Sequence, residues 1–351
     1  MGGMRMEMSR RTILQAAGGA MALGATAARA QTGPNDQLYQ AAKKEGQLTW
    51  YSGILDQPLC VAVGQAFTEK YPGITVNPIK NSSQVAFQRL LQDIKGGGVQ
   101  SDVLTSTDAS HMTYLIGKGL VVPFVAPSAA GMVPSLRNFN GDGHYQVSWV
   151  GQVTILYNTR KVKPTDAPLD WPDLTDPRWK DAITFGSPNY SGLVGVWTVA
   201  MQERYGWGYF EKLNKLNPLI GRSIDDAGTV LNSGERIVAA GNPASALRSA
   251  ARGNPLAVNY PTSGMLASPS PTAILKGSPS PNAAKLFVEF LAGPEYSKLL
   301  ADNFEQPLRA DVAPPPGAKS LADLKTFSPS LEQIERELGP NKEKWRDTFG
   351  A

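Results

Sequence analysis

Cys60 is the only cysteine in 351 residues, so no disulfide can form within the chain and the fold must stand on packing. Flanked by Leu59 and Val61, it reads as a buried, inert thiol. Histidine is nearly as scarce. His111 and His144 are the two present, too few for a histidine-based metal cluster. Charge of one sign is not in large excess either: 34 Lys and Arg face 30 Asp and Glu, a formal +4. Most of that imbalance belongs to the first thirty residues, where Arg5, Arg10, Arg11 and Arg29 oppose only Glu7. The nearly neutral remainder argues against a nucleic-acid partner. No G-x-S-x-G elbow, H-E-x-x-H helix or G-x-x-x-x-G-K-[ST] loop is found, so the commonest hydrolase, metalloprotease and nucleotidase signatures are missing. No internal repeat is visible.

One apolar run stands out. Residues 13–28 follow Ser9-Arg10-Arg11-Thr12 and end at Ala28-Arg29-Ala30. A basic start, a short apolar stretch and an A-x-A site make a cleavable export signal, here resembling the twin-arginine class. The run is shorter than the roughly 20 residues a membrane span needs. Cleavage is expected after Ala30, with export by the twin-arginine or general machinery into the periplasm.

Beyond the leader, short strand patterns alternate with helical ones. The periodicity predicts a helix over 36–46, a strand at 47–51, a helix from about 58 to 71, a strand at 74–76, a helix over 85–94 and a strand at 102–105. A further helix runs to Gly119. A second block follows with strands at 153–157 and 182–185 and a long helix over 193–204. A clear amphipathic helix lies at 284–292, then a proline-rich stretch over 311–319 and a final polar helix over 331–338. Alternation of this kind predicts an α/β fold with mostly parallel sheets, whose ligands gather at the carboxyl ends of the strands. The loops at those ends are short and polar: Ser52-Gly53, Asn81-Ser82-Ser83, Ser106-Thr107-Asp108 and Ser187-Pro188-Asn189-Tyr190-Ser191.

Several stretches, in order, resemble the ferric-ion-binding-protein-like branch of the type 2 periplasmic binding proteins, substrate-binding components of ABC importers. They are Leu48-Thr49-Trp50-Tyr51-Ser52-Gly53, Ser101-Asp102-Val103-Leu104-Thr105, Leu156-Tyr157-Asn158-Thr159-Arg160, Asp176-Pro177-Arg178-Trp179-Lys180, Ala284 through Ala292, and Gln306-Pro307-Leu308-Arg309. The resemblance implies two lobes, each a mostly parallel sheet flanked by helices, closing on a ligand held in the cleft between them. The implied division puts 31–145 plus 262–292 in one lobe and 146–261 plus 293–351 in the other. An inner-membrane ABC permease is the implied partner. Iron-binding members use two adjacent tyrosines, and the resemblance puts that pair at Ala244 and Ser245. Their histidine position falls near Ile54-Leu55-Asp56, and their carboxylate near Ser83-Gln84. Ferric ion favours anionic oxygen donors, which these positions largely lack.

The expected ligand is therefore a small polar organic molecule: an organic anion, a phosphonate or a zwitterion. Ser52, Ser83, Thr107, Ser187, Ser191 and Asn242 are the candidate neutral hydrogen-bonding contacts, suited to an anion at helix N-termini. Each is equally suited to capping its own helix. Trp149 and Tyr190 are candidate aromatic walls, although a core tryptophan reads the same way. Asp225 caps a helix or faces an ammonium group or metal. No cofactor is indicated. Ferric or other metal capture with a synergistic anion is the alternative, and an exported enzyme on the same fold is a third reading.

Overall fold

The computed structural model describes residues 34–137 and 142–350, so the export leader expected from the sequence lies outside the described residues. The first segment contains α1 (Pro34–Glu45), β1 (Gln47–Ser52), α2 (Gln57–Lys70), β2 (Thr75–Lys80), α3 (Ser83–Lys95), β3 (Val103–Thr105), α4 (Ser110–Gly117), β4 (Val121–Val122) and α5 (Pro134–Arg137). The second contains β5 (Gln146–Asn158), β6 (Ile183–Gly186), α6 (Gly192–Tyr205), α7 (Gly208–Asn214), β7 (Leu219–Gly221), α8 (Asp226–Ser233), β8 (Val238–Gly241), α9 (Pro243–Ala251) and β9 (Leu256–Asn259). The chain then returns through β10 (Met265–Leu275), α10 (Pro281–Leu291) and α11 (Pro294–Asp302), and ends with β11 (Thr326–Phe327) and α12 (Leu331–Phe349).

The strand order is β2-β1-β3-β10-β5-β8-β6-β7. On one side, β1 runs parallel to β2 and β3; on the other, β6 runs parallel to β7 and β8. Two long antiparallel strands join the halves. β10 pairs with β3 and with the first part of β5, and the last part of β5 pairs with β8 and β9. All thirteen residues of β5 are buried, as a strand shared by two sheets requires. The fold is thus of the α/β class that the alternating pattern predicts, in the two lobes that the family resemblance implies, with a mixed junction.

Each lobe has its own aromatic centre. In the first, Trp50 and Phe67 meet Phe287 at 5.3 Å and Phe67 meets Phe290 at 5.5 Å. In the second, Phe185 and Phe210 each contact both Trp197 and Trp345 at 5.6–6.0 Å. Such ring pairs add about 0.5–1.5 kcal/mol each beyond simple burial. Helix α10 packs on α1, and α11 packs on α2 and α10, whereas α12 packs on α6 and α7. Between α11 and β11, residues 311–316 lie across the α11 surface.

Two elements depart from the pattern read in the sequence. β10 is an eleven-residue strand despite Pro269 and Pro271. Proline removes a ladder donor, and the register shifts between Ser270 and Pro271, an irregularity that accommodates the loss. Helix α12 continues to Phe349 through Pro340, well past the expected end at 338.

Candidate functional site

Six strands end at one cleft of about 460 Å³, a size suited to a small molecule. β1 leads into Gly53-Ile54-Leu55-Asp56, β2 ends at Lys80, and β3 leads to Thr107. From the other lobe, β6 leads to Tyr190-Ser191-Gly192-Leu193, β7 to Ser223-Ile224-Asp225, and β8 to Asn242 and Ser245. Helices α2, α3, α6, α8 and α9 all begin in this lining. Their first N–H groups have no intrahelical acceptor and carry partial positive charge, so five helix ends favour negative charge in the cleft.

Seven of the nine predicted site residues line the cleft: Ser83, Thr107, Trp149, Tyr190, Ser191, Asp225 and Asn242. Ser52 and Ser187 do not reach it. Ser52 is fully buried, and its hydroxyl donates to the Ile54 carbonyl at 2.9 Å while lying 3.4 Å from Cys60 Sγ. Ser187, also fully buried, braces its own turn by accepting from the Asn189 N–H at 3.3 Å. Both belong to strand-end turns, where the hydroxyl satisfies the bending backbone instead of facing the cavity.

Several lining hydroxyls are likewise engaged. Ser83 Oγ accepts from the Thr107 N–H at 2.9 Å and sits 2.9 Å from Thr107 Oγ1. Ser191 Oγ caps α6 through the Val194 N–H, and Asn242 Oδ1 caps α9 through the Ala244 N–H. Asn242 also uses its amide to donate to Asp225 at 2.9 Å, so one side chain both starts a helix and orients a carboxylate. Tyr190 is 61% exposed at the cleft, with the Arg222 guanidinium 5.3 Å from its ring centre.

Charged groups complete the site, and the sequence reading did not single them out. Arg248, one turn into α9, donates to Glu305 Oε1 at 3.1 Å and to the Asn303 carbonyl at 2.8 Å, and lies 3.7 Å from Asp56. Glu305 Oε2 accepts from the Trp149 indole at 3.0 Å. Lys80 donates to the Asn81 carbonyl at 3.0 Å. Asp56 and Lys80 adjoin loops already marked at strand ends, so the strand-end rule could have found them. Arg248 follows the capped start of α9 by one turn. Glu305 has no local signal, because it meets Trp149 only through the fold.

The same crowding shifts their protonation. Burial pulls the Lys80 ammonium down, opposed by Cys60, Asp225 and Asp56. Burial pushes the Asp225 carboxyl up, opposed by its Asn242 hydrogen bond and by Arg248. Asp225 nevertheless keeps a solvent-accessible face in the open cleft, and water there weakens the upward push. Glu305 is pushed up to about 7 by burial, with the Trp149 and Arg248 contacts pulling the other way. Three carboxylates and two cations thus share the cavity with five helix N-termini. Among the described residues no three His, Cys, Asp or Glu side chains are grouped to hold a metal ion. Tyr190 is the one tyrosine in the lining, and Ala244 and Ser245 begin α9.

The chain is 23% identical over 320 residues to a Salmonella paratyphi A protein named "Putative 2-aminoethylphosphonate-binding periplasmic protein", covering 86% of this chain and 88% of that one. Its fold is similar to the fructose-6-phosphate-bound periplasmic binding protein AfuA of Actinobacillus pleuropneumoniae, with TM-score 0.74 and 22% identity over 87% of this chain and 99% of that one. It is also similar to iron-bound HitA of Pseudomonas aeruginosa, with TM-score 0.72 and 23% identity over 86% and 99%. The sequence profile of the bacterial extracellular solute-binding proteins matches residues 54–298. The chain belongs to that family, the ligand-capturing periplasmic components of ABC transporters.

Proposed function

We propose that this protein captures a small zwitterion, an oxyanion joined by a short linker to a primary ammonium, of the 2-aminoethylphosphonate class. The observation that carries the reading is the mixed charge of one cleft. Helix N-termini, Lys80 and Arg248 suit the oxyanion, while Asp225 and Asp56 suit the ammonium. The Salmonella relative named for such a ligand supports the same class. Trp149 and Tyr190 supply apolar surface for the linker. Contacts from both lobes exist together only when the cleft is shut, so ligand shifts the population toward the closed form. For that motion we divide the chain into 31–145 plus 262–292 and 146–261 plus 293–351, except that α11, within the last range, packs on α2 and α10 and moves with the first lobe. Delivery to an inner-membrane permease follows, without turnover of the ligand. Cleavage after Ala30 and export through the twin-arginine or general route precede it.

The test is a thermal-shift and calorimetric comparison of 2-aminoethylphosphonate, ethylphosphonate, fructose 6-phosphate and Fe(III). Stabilisation of about 2.7 kcal/mol is expected at a hundredfold excess over Kd for the compound with both poles. Asp225→Asn should weaken that compound at least tenfold and leave ethylphosphonate little changed. Preferential stabilisation by Fe(III) or by the sugar phosphate sinks the reading. Ferric capture has the iron-bound relative in its favour, but the lining offers it few anionic oxygen donors beyond the three carboxylates.

A further inference from the structure

We infer that Glu305 is a positioning residue that sets the charge the cleft presents to its ligand, pairing with Arg248 when ionised and leaving that guanidinium with only the more distant Asp56 carboxylate when protonated. The inference deepens the reading of the cleft as a site for a ligand with an anionic pole, and rests on it for the ligand arm of the test.

Glu305 is only 7% exposed, yet it borders the cavity. Its two oxygens are divided between the Trp149 indole at 3.0 Å and Arg248 at 3.1 Å. One carboxylate therefore fixes both an aromatic wall and the larger cation of the site. Arg248 has other partners, the Asn303 carbonyl at 2.8 Å and Asp56 at 3.7 Å, so it stays in the cleft when Glu305 is neutral. The charged and titratable groups facing Glu305 are Arg248 from α9, Asp225 at the start of α8 and Tyr296 from α11. With Glu305 ionised, the lining carries one more carboxylate than cation, which opposes an incoming anion. A proton on Glu305 removes that excess. Burial holds the carboxyl at about 7, so this exchange falls in the neutral range. An anion beside Arg248 repels the Glu305 charge, so anion binding and proton uptake favour one another.

The test has two arms. In the ligand-free protein, the Trp149 indole N–H resonance, assigned with Trp149→Phe, is followed from acidic to alkaline pH in the wild type and in Glu305→Gln. A midpoint near neutrality is expected in the wild type and a flat profile in the variant. In the second arm, calorimetry measures binding of ethanesulfonate and 2-aminoethylsulfonate, whose acid groups stay ionised throughout. Ethanesulfonate is expected to bind at least threefold tighter on the acidic side than on the alkaline side, and with no pH dependence in Glu305→Gln. A flat wild-type indole, or the same pH dependence in both proteins, overturns the inference. A titrating indole with no binding of either sulfonate supports the role of Glu305 and overturns the oxyanion reading instead. Should Glu305→Gln fail to fold, Arg248→Met decides: loss of the attraction should raise the indole midpoint by about one pH unit or more, and an unmoved midpoint counts against the pairing.

Discussion

At Glu305, burial and ion pairing oppose each other, and the outcome has a sign. The ordinary carboxyl value of 4.5 is raised to about 7 in the fold, so between those values the native state holds a proton that the unfolded chain has lost. Stability from this group is complete below the lower value and falls as pH rises through the window, by roughly 3 kcal/mol in all. Urea unfolding on either side of neutrality should therefore show Glu305→Gln gaining on the wild type as pH rises. A constant difference between the two proteins contradicts the assignment. Trp149→Phe removes the indole donor and replaces the bicyclic ring with a smaller aromatic one. It should cost about 1–3 kcal/mol where Glu305 is left short of a partner, with a smaller loss at acid pH, as read from denaturation midpoints. The candidate neutral polar side chains show a different balance. Ser83, Ser191 and Asn242 were legible because small polar residues before helices have few other uses. Their division between capping and ligand contact was not, because it depends on which neighbours the fold brings to each oxygen. Ser52 and Ser187 met the same sequence criterion and are sealed within their turns.

At the scale of elements, the site is a product of strand direction. Parallel strands deliver their carboxyl ends to one side, and each following helix points its first N–H groups there. Gly53, at the end of β1, shows how closely these ends approach. A Cβ at this position would overlap Ser83 Oγ and lie 2.8 Å from the Thr105 carbonyl. The Gly53 N–H also donates to that carbonyl at 2.9 Å, so the backbone has little room to retreat. Gly53→Ala should destabilise the fold by about 1–3 kcal/mol, measured by chemical denaturation, and should disturb the Ser83–Thr107 contact beside the cleft. A variant as stable as the wild type would show that the loop yields freely. The early strands and helices were readable because glycine and proline punctuate a clear period. β10 was hidden for the opposite reason: its two prolines lie inside the strand, where a reader expects them to end one. The lower end of β5 escaped notice because a strand buried on both faces does not alternate.

Across the molecule, the two lobes touch at Gly192. A Cβ there would meet Thr107 Oγ1 at 3.2 Å and Gln84 Nε2 at 3.3 Å, both from the opposite lobe. A larger side chain should wedge the cleft open. Gly192→Leu is expected to keep the wild-type far-ultraviolet spectrum yet lose at least tenfold in ligand affinity, and to lose the compaction on ligand addition that small-angle scattering should record for the wild type. Full compaction in the variant would place the closing contact elsewhere. The local pattern of the chain was enough to determine its α/β class and the polar loops at the strand ends, because periodicity, caps and turn residues act over a few neighbours. Only the tertiary structure decided the charge of the cleft. Asp56, Lys80, Asp225, Arg248 and Glu305 come from distant parts of the sequence, and their protonation depends on the burial and partners that folding supplies.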